Sequence, residues 1–280
     1  MDTLTSRPLA HHRSRLIPAS GLAFVIGATV TILLHESSHA VAGGLLGSVP
    51  RQLPFAVDFR ALPAPEHHAL ILLVGPLASI AAGVLGLILD RRLTPFGERP
   101  LWRLTWLWTI FTSLQFGLGH FQAAALMPLG DTVVAFTLLG LPSGAFVAAS
   151  VIGWLALPVV AWAFAGPIRD LAASAEDRAD LSVWSWLLGT AVLLGLMTLY
   201  IVLSPGDDEG AMIAVLAGTA AIGVFAPVSM AFRPGARAGV PPAMRGSRLG
   251  AAFLLVGLIA VNLVLTLGWV WDTAGFRGDP

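Results

Sequence analysis

Residues 132–168 carry no charge at all, and several other stretches of the chain are nearly as apolar. Water-facing side chains cannot cover runs of this kind, so they call for an apolar solvent. One helical crossing of a bilayer takes about 20 residues. Apolar segments of that order lie at 16–49, 69–89, 101–127, 183–203, 211–232 and 249–271. The charge-free run is too long for one plain span, and Leu141-Pro142-Ser143-Gly144 interrupts it with a turn signal. It reads as one long span plus a re-entrant piece, or as two short spans. The expected fold is an all-α polytopic membrane protein with seven or eight transmembrane helices. The runs do not alternate, which argues against a β-barrel. Hydrophobic residues make up 56% and charged residues 11% of the chain, with a mean hydropathy of +0.81.

Arginine placement orients the spans. Arg7, Arg13 and Arg15 precede the first; Arg91, Arg92 and Arg99 lie between the second and third, with Arg103 just inside the third; Arg233, Arg237, Arg245 and Arg248 precede the last. Placing all three groups in the cytoplasm requires an odd number of crossings between Asp131 and Arg169, hence seven spans. Eight spans with the N-terminus outside would put the second group on the wrong side. The lead MDTLTSRPLAHHRSR reads as a basic tail (1–15) rather than part of a signal peptide, because the following apolar run lacks a small-x-small cleavage site. The net charge is zero, so nucleic acid is not expected as a partner.

Within the first apolar run stands His35-Glu36-Ser37-Ser38-His39. Two His four residues apart project from one face of a helix and can grip a single metal ion. The Glu beside the first His is placed to act as general base. Charged groups at membrane depth cost about 2.5–3.5 kcal/mol on insertion scales, so this cluster calls for a functional explanation. There are no cysteines, so a zinc ion here must be held by His and carboxylate. A catalytic zinc takes three protein ligands and one open position. The remaining strongly ionisable groups in the apolar spans are His120 and Asp131. Asp131 is expected at the C-terminal end of the third span, the His pair toward the C-terminal end of the first. Those spans run parallel, so His35, His39 and Asp131 should share one depth. His120 reads as a structural group or one that orients a ligand.

HESSHAVAGG, the Gly-Pro span VGPLAS (74–79) and MPLGD (127–131) together resemble the site-2 protease family of intramembrane zinc metalloproteases. The resemblance covers about residues 22–132. It implies Zn2+ held by His35, His39 and Asp131, with Glu36 as the catalytic base. It also implies an activity: hydrolysis of peptide bonds in or near the membrane segments of other proteins, at a site near the cytosolic face. Arginine placement instead puts His39 nearer the outer face. Residues 55–65, with the alternation PFAVDFRAL, resemble the family's edge-strand loop, which would hold a substrate extended by strand addition. Two positions depart from the family pattern: Ala123–Ala125 stand where an Asn is expected, and Thr132 follows Asp131 where a Gly is expected.

The expected organisation is thus a catalytic membrane core at 16–132 and additional transmembrane helices at 133–280, in a multi-pass protein of the cell membrane. Its expected partners are a membrane-protein substrate and the lipid bilayer; the sequence sets no oligomeric state. The alternative is a catalytically inactive protein of the same architecture with a binding or regulatory role. A transporter would require repeat symmetry, and no internal repeat is visible. The nine Trp, Trp102, Trp269 and Trp271 among them, read as an interfacial belt. Ser37-Ser38 and Gly43-Gly44 are expected to line a water path, and Gly43, Gly44 and Gly47 to allow close packing.

Overall fold

The computed structural model describes residues 7–59, 63–97, 99–204 and 248–270, with the side chains of residues 7–15 and 248 left aside. The expected span at 211–232, Arg233, Arg237, Arg245 and Trp271 lie outside the described residues. The long helices are α1 (Arg7–Leu45), α2 (Pro65–Leu93), α3 (Pro100–Gln122), α5 (Ser143–Leu171), α6 (Ala175–Leu203) and α7 (Arg248–Leu265). A short helix, α4 (Asp131–Leu138), sits between α3 and α5. The first π-turn of α6 spans Asp180–Trp184.

Helix boundaries follow local chemistry. α1 begins at Arg7, inside the stretch expected as a tail, and tolerates Pro18 within it. It ends on a Schellman motif: Ser48 N–H donates to the Gly43 carbonyl at 2.9 Å, Gly47 N–H to that of Gly44 at 3.2 Å, and Gly47 takes φ 85°. Pro65 and Pro100 open α2 and α3 in the first turn, where a missing N–H costs nothing.

α1 within Leu16–Leu45, α2, α5 and α6 are long and apolar enough to cross a membrane. Their outer faces, for example Leu77, Leu85, Val151, Leu155, Val159 and Val202, expose large apolar side chains, as lipid contact requires. α4 has eight residues, about 12 Å of helix, and cannot cross a hydrocarbon layer of about 30 Å. The charge-free run is therefore one long helix plus a short piece packed on α2. α3 is long enough to cross but falls below the same standard of apolarity, because it packs against α1, α2 and α5 rather than outward. Trp108 of α3 also departs from the expected interfacial belt. It is fully buried, edge-on to Phe24 at 4.9 Å and tilted against Phe164 at 4.8 Å.

Polar pins add to this core. Asp90 of α2 takes both guanidinium arms of Arg103 and the Trp106 indole N–H of α3. Gln115 donates to Gln122, Gln122 donates to the Gly153 carbonyl, and Ser150 donates to the Gln122 carbonyl, which joins α3 to α5. α4 straddles residue 132, and α5 and α6 pack on α3 and α1.

Strands β1 (Pro50–Gln52), β2 (Val57–Phe59) and β3 (Trp269–Val270) form a sheet of order β2-β1-β3. Both pairings are antiparallel, with Arg51 opposite Asp58 and Gln52 opposite Trp269. The third strand arrives from beyond α7, a pairing that the alternation at 55–65 did not announce.

Gly27 marks the tightest crossing of α1 and α3. A Cβ there would lie 2.7 Å from the Thr109 amide nitrogen and 2.9 Å from the Trp108 carbonyl carbon. Gly27→Ala is expected to destabilise the detergent-solubilised protein by about 1–3 kcal/mol, the usual cost of overpacking. Gly195→Ala, with nothing within 4 Å, should not. Thermal unfolding of the two variants checks this; equal melting temperatures would contradict the close crossing.

Candidate metal centre

α1 carries His35, Glu36 and His39 on its inner side, where they are 1%, 6% and 5% exposed. The two imidazoles meet edge to face, ring centroids 4.7 Å apart, and their Nε2 atoms are 3.0 Å apart. Asp131 Oδ2 closes the triangle, 2.9 Å from His35 Nε2 and 3.2 Å from His39 Nε2. The structure thus brings together the three residues expected to share one depth.

The route by which Asp131 arrives differs from expectation. α3 ends at Gln122, and Asp131 opens α4 instead of closing the third span. Pro128 lacks an amide donor and Gly130 takes φ 114°, so the helix cannot run on through this stretch. Gly130 is the N-cap of α4, and Asp131 is its first residue. Its carboxylate faces the imidazoles while its charge still sits at the positive end of α4.

Each His is oriented by its other nitrogen. His39 Nδ1 donates to the Ile71 carbonyl at 2.7 Å. His35 Nδ1 lies 3.2 Å from Ser79 Oγ. Hydrogen bonding at Nδ1 fixes the ring and leaves Nε2 free to ligate. Both partners sit on α2, and Gly75 lies midway between them. Ile71, Gly75 and Ser79 recur every four residues and so form one stripe. A Cβ on Gly75 would run into the His39 ring and reach His35 Cε1 at 2.9 Å. Pro76, one residue on, breaks the hydrogen-bond ladder beside this stripe. The Gly-Pro pair is therefore part of the site, with Gly75 making room for both rings. Sequence reasoning did not assign Gly75 or Ser79 a role; their four-residue spacing from Ile71 was the available signal.

α3 adds Phe116 and His120, one turn apart. Phe116 meets His35 edge to face at 4.7 Å, and His120 stacks on His35 at 4.8 Å. His120 Nδ1 comes within 3.3 Å of Asp131 Oδ2. His35, His120 and Asp131 offer ligand atoms that all lie within 4.8 Å of one another. Glu36 lies outside that group of donors.

The sheet leans on the same helix. Gln52 of β1 donates to Ser37 Oγ at 3.0 Å, and Phe59 of β2 fills the space beside Gly43 that a Cβ would need. Gly43 is thus a close-packing position. Of the serines expected to line a water path, Ser37 is engaged by Gln52 and Ser38 donates to the Leu34 carbonyl at 2.7 Å.

The donor set suits zinc. Two imidazole nitrogens and a carboxylate oxygen are its usual oxygen and nitrogen ligands. Their separations of 2.9, 3.0 and 3.2 Å are close to the edge of about 3.3 Å that ligands about 2.0 Å from a tetrahedral ion would span. No family model, curated protein or solved structure matches this chain.

If Gly75 makes room for the rings, Gly75→Ala should weaken zinc binding by about 10- to 100-fold, the scale seen when a ligand's support is lost. Competition with a chromophoric chelator measures it. Unchanged affinity in a folded variant would contradict the tight fit.

Proposed function

We propose that the chain is an intramembrane zinc metalloprotease, a multi-pass protein of the cell membrane that cleaves peptide bonds in or near the membrane segments of other proteins. The observation that carries this reading is the convergence of His35 Nε2, His39 Nε2 and Asp131 Oδ2 beside a buried Glu36. α1, α2, α3, α5, α6 and α7, with the apolar stretch 211–232, make the seven spans of this reading.

His35, His39 and Asp131 would hold the ion, which when bound supplies Lewis acidity to the site. Glu36 takes the proton of the attacking water and returns it to the departing amide nitrogen. Ile71 and Ser79 keep the two imidazoles from turning away. Helical peptide bonds are shielded by their own hydrogen bonds, so a substrate must first be drawn out. Among the described residues β2 pairs only with β1, and its other edge is open to an extended peptide.

A second reading, metal binding without proteolysis, draws on Ala123–Ala125 standing where the family that this chain resembles has an Asn. One experiment separates the two. Purified protein in detergent is given fluorescein-labelled casein, and zinc is measured on the same samples. The expected outcome is about one zinc per chain and cleavage that a chelator abolishes. Glu36→Gln should keep the zinc and lose activity by about 10²–10⁴-fold, the contribution of a general base. Cleavage that survives Glu36→Gln would exclude the assigned base. Zinc without chelator-sensitive cleavage would favour the second reading, and a wild type without zinc would remove both.

A further inference from the structure

We infer that His120 is a fourth protein donor of this metal centre, so that the resting site is closed rather than open to water. The inference rests on the zinc reading above and adds a ligand to it.

The geometry at Asp131 carries the inference. Asp131 offers two carboxylate oxygens, and His120 meets the one that the other two histidines share. Its Nδ1 approaches Oδ2 at 3.3 Å, the same oxygen that His35 and His39 approach at 2.9 and 3.2 Å. Three imidazole nitrogens from two helices therefore crowd one carboxylate oxygen from a third. One oxygen cannot serve three neutral imidazoles equally well as a hydrogen-bond partner, whereas a cation beside Oδ2 would draw on their nitrogens, and His35, His120 and Asp131 offer ligand atoms that all lie within 4.8 Å of one another. The 3.3 Å separation is close to the 2.9–3.2 Å of the other donor pairs, as expected for ligands sharing one ion. His120 is held in place by its stack on His35 and its edge contact with Phe116 at 5.2 Å, and it is half-buried.

Four protein donors make the closed pattern of structural zinc sites, three plus an open position the catalytic one. His120 then stands where a water or substrate oxygen must enter. It lies in the last turn of α3, next to the non-helical stretch that leads to Asp131. A shift of that helix end is sufficient to withdraw it. Substrate binding next to α3 would thereby open a site that is inert at rest.

The test uses the full-length protein loaded with zinc or with cobalt. X-ray absorption on the zinc form should count three imidazoles in the wild type and two in His120→Ala. The visible spectrum of the cobalt form should be insensitive to added azide in the wild type and respond to it in His120→Ala, where a position has been freed. Metal affinity should fall at least tenfold in His120→Ala and further in His39→Ala. Two imidazoles in the wild type, or a wild-type spectrum that answers azide as strongly as the variant, would overturn the inference while leaving the three-ligand site intact. A wild type that binds neither metal would overturn both. The wild-type imidazole count decides the matter even if the variant fails to fold.

Discussion

The convergence of His35, His39 and His120 on one oxygen of Asp131 is the interaction on which this structure turns. These groups lie in the middle of an apolar bundle, where an unpartnered polar atom is costly. They can be buried only together. Satisfying them fixes α1 against α3 and draws α4 back into the bundle. α2 completes the arrangement with a carbonyl, a hydroxyl and a missing side chain: Ile71, Ser79 and Gly75. The short α4 exists as a separate helix because Asp131 must reach this point, and Pro128 and Gly130 provide the break that lets it.

α3 shows the same principle from the other side. It carries Arg103 and Trp106 to Asp90, Thr112 and Ser113 to Thr31, Gln115 and Gln122 toward α5, and His120 to Asp131. A helix bearing so many polar groups is a poor match to lipid. It is stable here because other helices surround it and satisfy those groups, the general arrangement of polar side chains in membrane bundles. Arg103 illustrates a consequence for orientation. Its charge is spent on Asp90, so it reports the packing of α2 on α3 more than the side of the membrane on which it lies.

What was legible in the sequence was what local rules determine. The four-residue spacing of His35 and His39 fixes a shared face, and the depth argument brought Asp131 to them even though that residue starts α4 rather than ending the third span. Turn chemistry at Pro142 correctly separated α4 from α5. The rest depends on pairs distant in sequence. Gly75 shows no role until the His rings beside it are seen. Trp108 reads as interfacial until Phe24 and Phe164 enclose it. Strand β3 lies more than two hundred residues from β1, and a two-residue strand carries no periodicity of its own. His120 was recognised as a candidate, but its spacing alone could not say which carboxylate oxygen it would meet.

In the proposed reading the sheet extends this dependence to substrate handling. β1 lies between two strands, so neither of its edges is free. β3 takes the edge that would otherwise compete with β2 for an extended peptide, and Gly268, at φ 76° against the Arg51 side chain, makes the turn that delivers it. Among the described residues the outer edges that remain are those of β3 and of β2, Val57–Phe59. Gln52 couples that place to Ser37, the neighbour of Glu36. In the proposed reading, a peptide drawn onto β2 would pull on a strand bonded beside the proposed base. The C-terminal part of the described chain meets the rest through this pairing and through the packing of α7 on α1.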